Sequence, residues 1–329
     1  MSTQLEQQQP PLGWLDWHER TDDQNETHEN IVAAMPSFDL PASAQELPPK
    51  GTKILLTDCW KHARVKSSLN LPKGFPGWHQ DSGCCVGVGF GDGAQTTNIL
   101  DVLQRGDSEE IGLIFWPFNY GRSRQLAGMR GQGQGSMGST IARSASEDGV
   151  LIWKPGLSLP DYSVNGMLGI GKSEEMIWSD GQHASAEVRE EGKPHRIISA
   201  PVSSGLGVVG AIMNGYACLR AFAKYVQVGS AQVKDGALIG HYDGRGGHQE
   251  SWQAFWHHPT QGPLIGEMNQ WGQNVYGIDP GGLPPGACWV PLDEVDRECQ
   301  RGEIYALNNY DGYPSKPEFY DWINRSFYS

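Results

Sequence analysis

A single stretch, Gln80-Asp81-Ser82-Gly83-Cys84-Cys85-Val86-Gly87, places a glutamine five residues before a cysteine. The residues from Cys85 to about Gln104 end with a helical period, so we predict a helix that begins at Cys85. A cysteine at a helix N-terminus faces the positive end of the helix dipole, which favours the thiolate over the thiol. The Cys85 backbone N–H and the Gln80 side-chain amide can then donate to one developing oxyanion. The alternative interpretation is a small buried cysteine in a tight turn.

The predicted helix contains a run of alternating glycines, at Gly87, Gly89, Gly91 and Gly93. Each glycine costs about 1 kcal/mol relative to alanine inside a helix. Local propensity therefore does not hold this helix together. We expect close packing across an interface where side chains do not fit.

Two further segments carry the side chains that a thiolate nucleophile needs. In Gly246-Gly247-His248-Gln249-Glu250-Ser251-Trp252, a histidine stands at the start of a predicted strand, after a glycine turn. Histidine is the usual base for a thiol because its pKa lies near neutral pH. In Met268-Asn269-Gln270-Trp271-Gly272, the asparagine can accept or fix the ring proton, and the tryptophan can shield that hydrogen bond from water. The alternative for a lone histidine is a surface residue or a satisfied core residue.

The three segments occur in the order cysteine, histidine, asparagine, and together they resemble the papain-like cysteine peptidase superfamily. The first segment matches its Gln-x-x-Gly-x-Cys pattern. The segment Asn269-Gln270-Trp271-Gly272 is similar to its Asn-Ser-Trp-Gly, with glutamine in place of serine. In that superfamily the histidine and asparagine follow the cysteine by roughly 130–150 residues, and the spacing here is slightly longer.

The resemblance implies a role for each residue. Cys85 would be the nucleophile, and Gln80 with the Cys85 backbone N–H would bind the oxyanion. His248 would act first as general base and then as acid. Asn269 would orient the histidine ring, and Trp271 would shield the pair. Two glycines within the motifs would support the site: Gly83 and Gly247.

The implied activity is hydrolysis of an amide bond through a thioester. The substrate would be a peptide, or the peptide part of a cell-wall polymer, bound in a cleft between two lobes. More closely, the chain resembles papain-like proteins encoded in bacteriophage genomes, over residues 54–318. The matching segments are Tyr120-Gly121-Arg122-Ser123-Arg124, Gly135-Ser136-Met137-Gly138-Ser139, and Glu303-Ile304-Tyr305-Ala306-Leu307 with Asp311-Gly312-Tyr313-Pro314. The alternative function is a catalytically silent structural protein of a virion (a tail, neck or capsid component) that uses the papain-like scaffold.

We predict an α+β chain with a papain-like two-lobed fold, in which a helical lobe faces an antiparallel β half-barrel lobe. The predicted divisions are an extended N-terminal arm at 1–50, the helical lobe with the nucleophile helix at 51–160, the β-barrel-like lobe with the histidine and asparagine at 161–300, and a C-terminal tail that packs back at 301–329.

The N-terminal arm is rich in Gln, Pro, Glu, Asn and Ser. Such a composition buries too little apolar surface to offset the entropy of ordering. We therefore expect the arm to be held by a neighbouring subunit or by the protein's own surface, with Trp14 and Trp17 as anchors. The expected partners are a peptide substrate and, through the arm, other virion proteins or further copies of the chain.

Charge and composition argue against several other classes of protein. The 329 residues carry a formal net charge of −13, so we expect no binding to nucleic acid. No apolar run is long enough for a membrane span. The first residues lack the features of a secretory signal, and we expect a virion-associated protein if it is phage-encoded and a cytoplasmic one otherwise.

We expect no cofactor and no metal ion. Six cysteines without a CxxC pair are expected to be mostly reduced thiols. A metal site is the weaker alternative because no carboxylate or thiol stands at a recognisable ligand spacing. Its histidines would be His241, His248, His257 and His258.

Overall fold

The computed structural model describes residues 12–38, 46–62, 79–105, 111–153, 159, 170–181, 186–272 and 275–308. Its helices are α1 (Asp22–Ala34), α2 (Cys85–Leu100), α3 (Trp116–Leu126), α4 (Gly138–Glu147), α5 (Lys172–Ser179), α6 (Ala186–Gly192), α7 (Gly205–Met213) and α8 (Leu292–Cys299). Its strands are β1 (Lys53–Leu55), β2 (Leu113–Ile114), β3 (Ile152–Trp153), β4 (Ile198–Pro201), β5 (Cys218–Tyr225), β6 (Gln232–Lys234), β7 (Ala237–Ile239), β8 (Gly244–His258), β9 (Gly262–Met268), β10 (Ala287–Pro291) and β11 (Glu303–Asn308). The motif Asp311-Gly312-Tyr313-Pro314, most of the C-terminal tail and the predicted boundary near residue 160 lie outside the described residues.

One large sheet organises the second half of the chain. Its strands follow the order β4-β11-β5-β8-β9-β10-β7-β6, and β1 adds to β8. All of its pairings are antiparallel except β10 with β7. The strands β2 and β3 form a separate small sheet. The 15-residue β8, which carries His248, pairs with three neighbours and occupies the middle of the large sheet. Helices in the first half and this sheet confirm the predicted α+β class.

The helix that begins at Cys85 is buried along its whole length. A Cβ atom at Gly87 would lie 2.7 Å from the rings of Trp116 and the side chain of Tyr120, both on α3. A Cβ atom at Gly89 would lie 2.8 Å from the backbone oxygen of Gln249 on β8. The expectation of close packing is confirmed, because α2 packs between α3 and β8 so closely that side chains larger than glycine do not fit at Gly87 and Gly89.

The helix that begins at Cys85 and the strand that carries His248 lie where the sequence pattern placed them, whereas the arm differs from its prediction. The segment we expected to be extended contains α1, whose N-terminus is capped by Thr21: its hydroxyl accepts a hydrogen bond from the Gln24 backbone N–H at 3.3 Å. The Gln24 side chain in turn accepts from the Thr21 N–H at 3.0 Å, so two otherwise unpaired donors are satisfied. Ile31 is the buried apolar side chain of this helix. A short capped helix therefore forms in a region of low apolar content. Among the described residues, no helix has the length and apolar character needed to cross a membrane.

Candidate active site

Cys85 is the first residue of α2, and Cys84 occupies the capping position before it. Both thiols are fully buried. Burial raises the pKa of the Cys85 thiol to about 12, although hydrogen bonds from the backbones of Gln249 and Gly13 oppose the rise. The expectation that the helix N-terminus yields a thiolate is therefore wrong for this conformation. Removing the thiolate charge from water costs more free energy than the helix dipole and the backbone hydrogen bonds recover by stabilising that charge.

His248 lies on β8, opposite Phe222 of β5. Its side chain is fully buried. The indole of Trp271 stacks on the imidazole, with ring centroids 4.2 Å apart and planes 18° from parallel. Burial lowers the pKa of His248 well below its usual value, and the nearby charge of Arg220 lowers it further, while the Asn269 side chain acts in the opposite direction. In this conformation the imidazole is neutral at pH 7.

Asn269 follows the end of β9 and shapes the turn that carries Trp271. Its Oδ1 accepts hydrogen bonds from the backbone N–H groups of Gln270 at 2.6 Å and Trp271 at 3.2 Å. Its Nδ2 donates to the hydroxyl of Tyr276 at 2.5 Å. That hydroxyl donates onward to the carbonyl of Val226 at 2.9 Å. The structure thus brings the buried histidine and asparagine together with the partly buried Trp271.

Gln80 is buried and lies five residues before Cys85, the first residue of α2. Its Nε2 donates to the backbone carbonyl of Ser82 at 2.7 Å. An isolated antiparallel bridge joins His79 to Trp271, so the glutamine segment lies beside the turn that Asn269 shapes. In this conformation the donor group of Gln80 is engaged by the chain itself.

The two supporting glycines contact the N-terminal arm. The carbonyl of Gly247 accepts hydrogen bonds from the backbone N–H groups of Gly13 and Trp14, each at 3.1 Å. A Cβ atom at Gly83 would lie 2.6 Å from the carbonyl oxygen of Leu12, and one at Gly247 would lie 1.9 Å from the carbonyl oxygen of Trp14. Both glycines therefore allow a second backbone to approach closely.

Residues 12–15, which we call the arm segment, lie between the helices and the large sheet. On the sheet side they bond to Gly247. On the helical side, the Leu15 N–H donates to the Ser136 carbonyl at 3.0 Å, and the Ser136 N–H donates to the Gly13 carbonyl at 2.8 Å. The Gly13 backbone also reaches the Cys85 thiol. The arm segment therefore covers the Cys85 thiol.

A buried carboxylate anchors the arm. Glu303 accepts a hydrogen bond from Trp14 Nε1 at 3.2 Å and forms an ion pair with Arg20. Its other oxygen accepts from the backbone N–H of Ser139 at 2.6 Å. The Arg20 guanidinium also donates to the Leu15 carbonyl at 3.0 and 2.8 Å. Trp14 is buried, as expected of an anchor, whereas Trp17 is 59% exposed. The described part of the arm is thus held by the protein's own surface.

Two charged residues close to His248 were not singled out by the sequence analysis. Glu250 and Arg220 face each other across β8 and β5, and both are fully buried. The sequence did contain a signal for Glu250. A glutamate two residues after the histidine lies on the same face of the predicted strand, close to the histidine side chain. Glu303 lies in one of the segments that carry the family resemblance. The distance along the chain between Glu303 and Arg20 gave no indication that the two residues pair.

The four histidines of the alternative metal site lie in different surroundings. His241 pairs with Glu294, with 2.7 Å between Nδ1 and Oε1. His257 Nδ1 lies 2.5 Å from the Pro48 carbonyl oxygen, and His258 Nε2 lies 3.1 Å from the Asp235 carbonyl oxygen. Among the residues that the structure describes, no group of three or more His, Cys, Asp or Glu side chains is placed to hold a metal ion.

No protein-family model matches the sequence, and no curated protein matches it significantly. The fold is similar to that of solved cysteine proteases. Xylellain, a cysteine protease from Xylella fastidiosa, superposes with a TM-score of 0.57 at 13% identity, over 91% of this chain and 96% of that one. Procathepsin B from Trypanosoma congolense covers 92% of this chain and 87% of its own at 10% identity, with a TM-score of 0.49. The likeness to xylellain shows a papain-like fold.

Proposed function

We propose that the chain is a papain-like cysteine hydrolase that cleaves amide bonds through a thioester. The observation that carries the proposal is that His248, Asn269 and Trp271 lie together and that the strand which carries His248 reaches the Cys85 thiol at the start of α2. The residue after the histidine, Gln249, contacts the Cys85 thiol through its backbone. Its side chain also donates to the Val86 carbonyl at 3.0 Å. The nucleophile helix and the histidine strand are therefore joined at the point where the chemistry would occur.

In the proposed reaction, His248 takes the proton of the Cys85 thiol as the sulfur attacks the substrate carbonyl carbon. The resulting oxyanion accepts hydrogen bonds from the Cys85 backbone N–H and from Gln80, after the glutamine releases the Ser82 carbonyl. The histidine then protonates the leaving amine, and a thioester remains on sulfur. Water, deprotonated by His248, attacks the thioester and restores the thiol.

We infer that the described conformation is a latent form of this hydrolase. The arm segment fills the space above Cys85, and the thiol and imidazole are both neutral because both are buried. Release of the arm would admit water and substrate. A hydrated thiol beside a hydrated imidazole has a lower pKa, which favours the thiolate and imidazolium pair.

The expected substrates remain a peptide or the peptide part of a cell-wall polymer, and the proposed setting is a phage particle, with a cytoplasmic protein as the other possibility. These finer proposals are supported by the sequence resemblance alone. The second candidate function is a silent structural protein with the same scaffold. The full burial of Cys85 beneath the arm favours this candidate, because a thiol that is never uncovered performs no chemistry.

The deciding experiment compares Cys85→Ser with the matched variant Cys84→Ser in the full chain. Hydrolysis of a peptide library and of peptidoglycan is measured. We expect loss of at least about 1,000-fold in kcat for Cys85→Ser and a change below about threefold for Cys84→Ser. Unchanged hydrolysis in Cys85→Ser would exclude this residue as the nucleophile. If the wild-type chain and a variant with a loosened arm both hydrolyse nothing, the silent structural protein is supported instead.

A further inference from the structure

A buried carboxyl group faces the imidazole of His248 from within the sheet. Glu250 lies two residues further along β8, so both side chains point to the same face of the strand. Its Oε1 is 3.6 Å from His248 Nε2, and both side chains are fully buried. Among the described residues, both ring nitrogens and this carboxyl oxygen lack a hydrogen bond within normal geometric limits. The Asn269 side chain interacts with the ring, and the Glu267 side chain interacts with the Glu250 carboxyl group. Buried polar atoms without partners are rare in proteins, so two that face each other suggest a contact that forms at another step.

The orientation of Glu250 is set by its other oxygen. Glu250 Oε2 accepts a hydrogen bond from Arg220 Nη1 at 2.6 Å. The same guanidinium donates to Glu298 at 3.2 Å and lies over the ring of Tyr242, with 4.1 Å between Cζ and the ring centroid. Arg220 thus holds the carboxyl group through Oε2, and Oε1 lies on the side of the histidine.

Asn269 has little remaining capacity to accept a proton from the ring. An amide oxygen has two lone pairs, and Asn269 Oδ1 already accepts from the backbone N–H groups of Gln270 and Trp271. Its Nδ2 is engaged by Tyr276. A ring N–H of His248 that bonds to the Asn269 side chain therefore shares its acceptor with two backbone N–H groups. Glu250 Oε1 accepts no hydrogen bond within normal geometric limits, and the neighbour that competes for this carboxyl group is the Glu267 side chain.

We propose that Glu250 is a positioning residue for His248: its Oε1 accepts the Nε2–H and leaves Nδ1 bare to take the proton of Cys85. This inference rests on the proposed function for its catalytic consequence. The contact needs a shortening of about 0.6 Å from the present separation to reach normal hydrogen-bond length. Hydrogen bonds in catalytic sites are often long before substrate binds and tighten afterwards.

The role does not depend on the charge of Glu250. Burial and the nearby Glu267 raise the pKa of Glu250 well above its usual value, while Arg220 opposes the rise. The raised pKa favours the neutral carboxyl form of Glu250. The carbonyl oxygen of a neutral carboxyl group still accepts a hydrogen bond, as an amide oxygen does. The other groups that face the imidazole are Tyr225, Arg220, Asn269 and Trp271.

The test reads the tautomer of His248 by long-range ¹H–¹⁵N NMR in the full chain. In the wild-type protein we expect Nε2 protonated and Nδ1 bare; the opposite tautomer would overturn the proposal without any mutation. Glu250→Leu removes the acceptor at similar volume, and we expect a mixture of tautomers. Glu250→Gln keeps a neutral acceptor and should restore the wild-type spectrum.

Two control variants separate positioning from a merely structural role. Glu298→Leu removes a different partner of Arg220 and should leave the tautomer unchanged. Asn269→Ala should also retain the Nε2–H. The proposal is contradicted if Glu250→Leu keeps the wild-type tautomer, or if Glu298→Leu shows the same mixture of tautomers as Glu250→Leu. It is also contradicted if a mixture of tautomers is seen only in Asn269→Ala, because that result would assign the positioning role to the asparagine.

Activity gives a second readout that depends on the proposed function. With a cleavable peptide, Glu250→Leu should lower kcat by about 10–100-fold with KM nearly unchanged, and Glu250→Gln should recover most of it. An unchanged kcat in Glu250→Leu contradicts the positioning role. Because the tautomer is read in the resting protein, failure of the hydrolase proposal leaves the NMR result interpretable by itself.

Discussion

The α-carbon of Gly89 lies directly against the backbone carbonyl of Gln249, so that a Cβ atom at this position would be 2.8 Å from the carbonyl oxygen. The contact joins α2, which begins at Cys85, to the strand that carries His248. It explains why a buried helix tolerates glycine where alanine has the better helical propensity.

Gly89→Ala is therefore expected to destabilise the protein. The new methyl group must push a backbone carbonyl rather than a flexible side chain, and overpacking of this kind costs about 1–3 kcal/mol. The matched control is Gly93→Ala in the same helix, where the nearest atoms are the terminal methyl carbons of Leu307 at 3.2 Å and Leu219 at 3.3 Å. Those methyl groups can move, and we expect a change below about 1 kcal/mol. Urea unfolding measures both; equal losses in the two variants would show that the backbone contact is not the cause.

Loosening the arm should uncover Cys85. Trp14→Ala removes the hydrogen bond to Glu303 and the buried indole, whereas Trp17→Ala removes a side chain that is 59% exposed. We expect at least a tenfold faster reaction of Cys85 with iodoacetamide, and faster peptide hydrolysis, in Trp14→Ala only. Peptide mapping by mass spectrometry identifies the modified thiol. Wild-type rates in Trp14→Ala would argue that the arm does not limit access.

The reaction of Cys85 should depend steeply on pH in the intact chain. A thiol whose pKa lies near 12 is ionised to about one part in 10⁵ at pH 7, and its thiolate fraction rises tenfold with each pH unit. Alkylation should therefore accelerate about tenfold per unit between pH 7 and 10, without a plateau. In Trp14→Ala, the thiol is hydrated and its pKa falls, so a plateau should appear at lower pH. A plateau near neutral pH in the wild-type chain would mean that the thiol is already exposed.

The order of alkylation among the cysteines gives a check within the same experiment. Burial raises the pKa of Cys84 well above its usual value, and the charge of Glu175 raises it further. Cys85 instead receives three backbone hydrogen bonds that lower its pKa, from Gln249, Gly13 and Val86. Cys85 should therefore react before Cys84 at every pH, although the two residues are adjacent.

Local patterns predicted the start of α2, and the family resemblance implied that His248, Asn269 and Trp271 lie close together. The helical period after Cys85 places the start of α2, and the turn Asn269-Gln270-Trp271-Gly272 follows from side-chain hydrogen bonds to its own backbone. The stacking of Trp271 on His248 agrees with its expected role as a shield. These features depend on neighbours in sequence or on short motifs, and such information is present in the chain itself.

The arm and the ionic group behind His248 were not predicted in detail. The composition of residues 1–50 indicated an extended segment, yet a capping box at Thr21 is enough to start α1. Arg220 and Glu250 meet because β5 and β8 pair in a particular register, and that register depends on the whole sheet. The residues of one strand, taken alone, do not indicate which residue of the neighbouring strand lies opposite them.

The amino-acid sequence alone determined which side chains are candidates for the proposed acyl chemistry and where α2 begins, because helix starts and turns are encoded by residues a few positions apart. Only the tertiary structure decided the protonation state of those side chains. The pKa of Cys85 depends on how much water reaches the sulfur, and that is controlled by Gly13 and its neighbours, which are remote in the chain and adjacent in space. Desolvation is a property of the packed molecule, so no local pattern could report it.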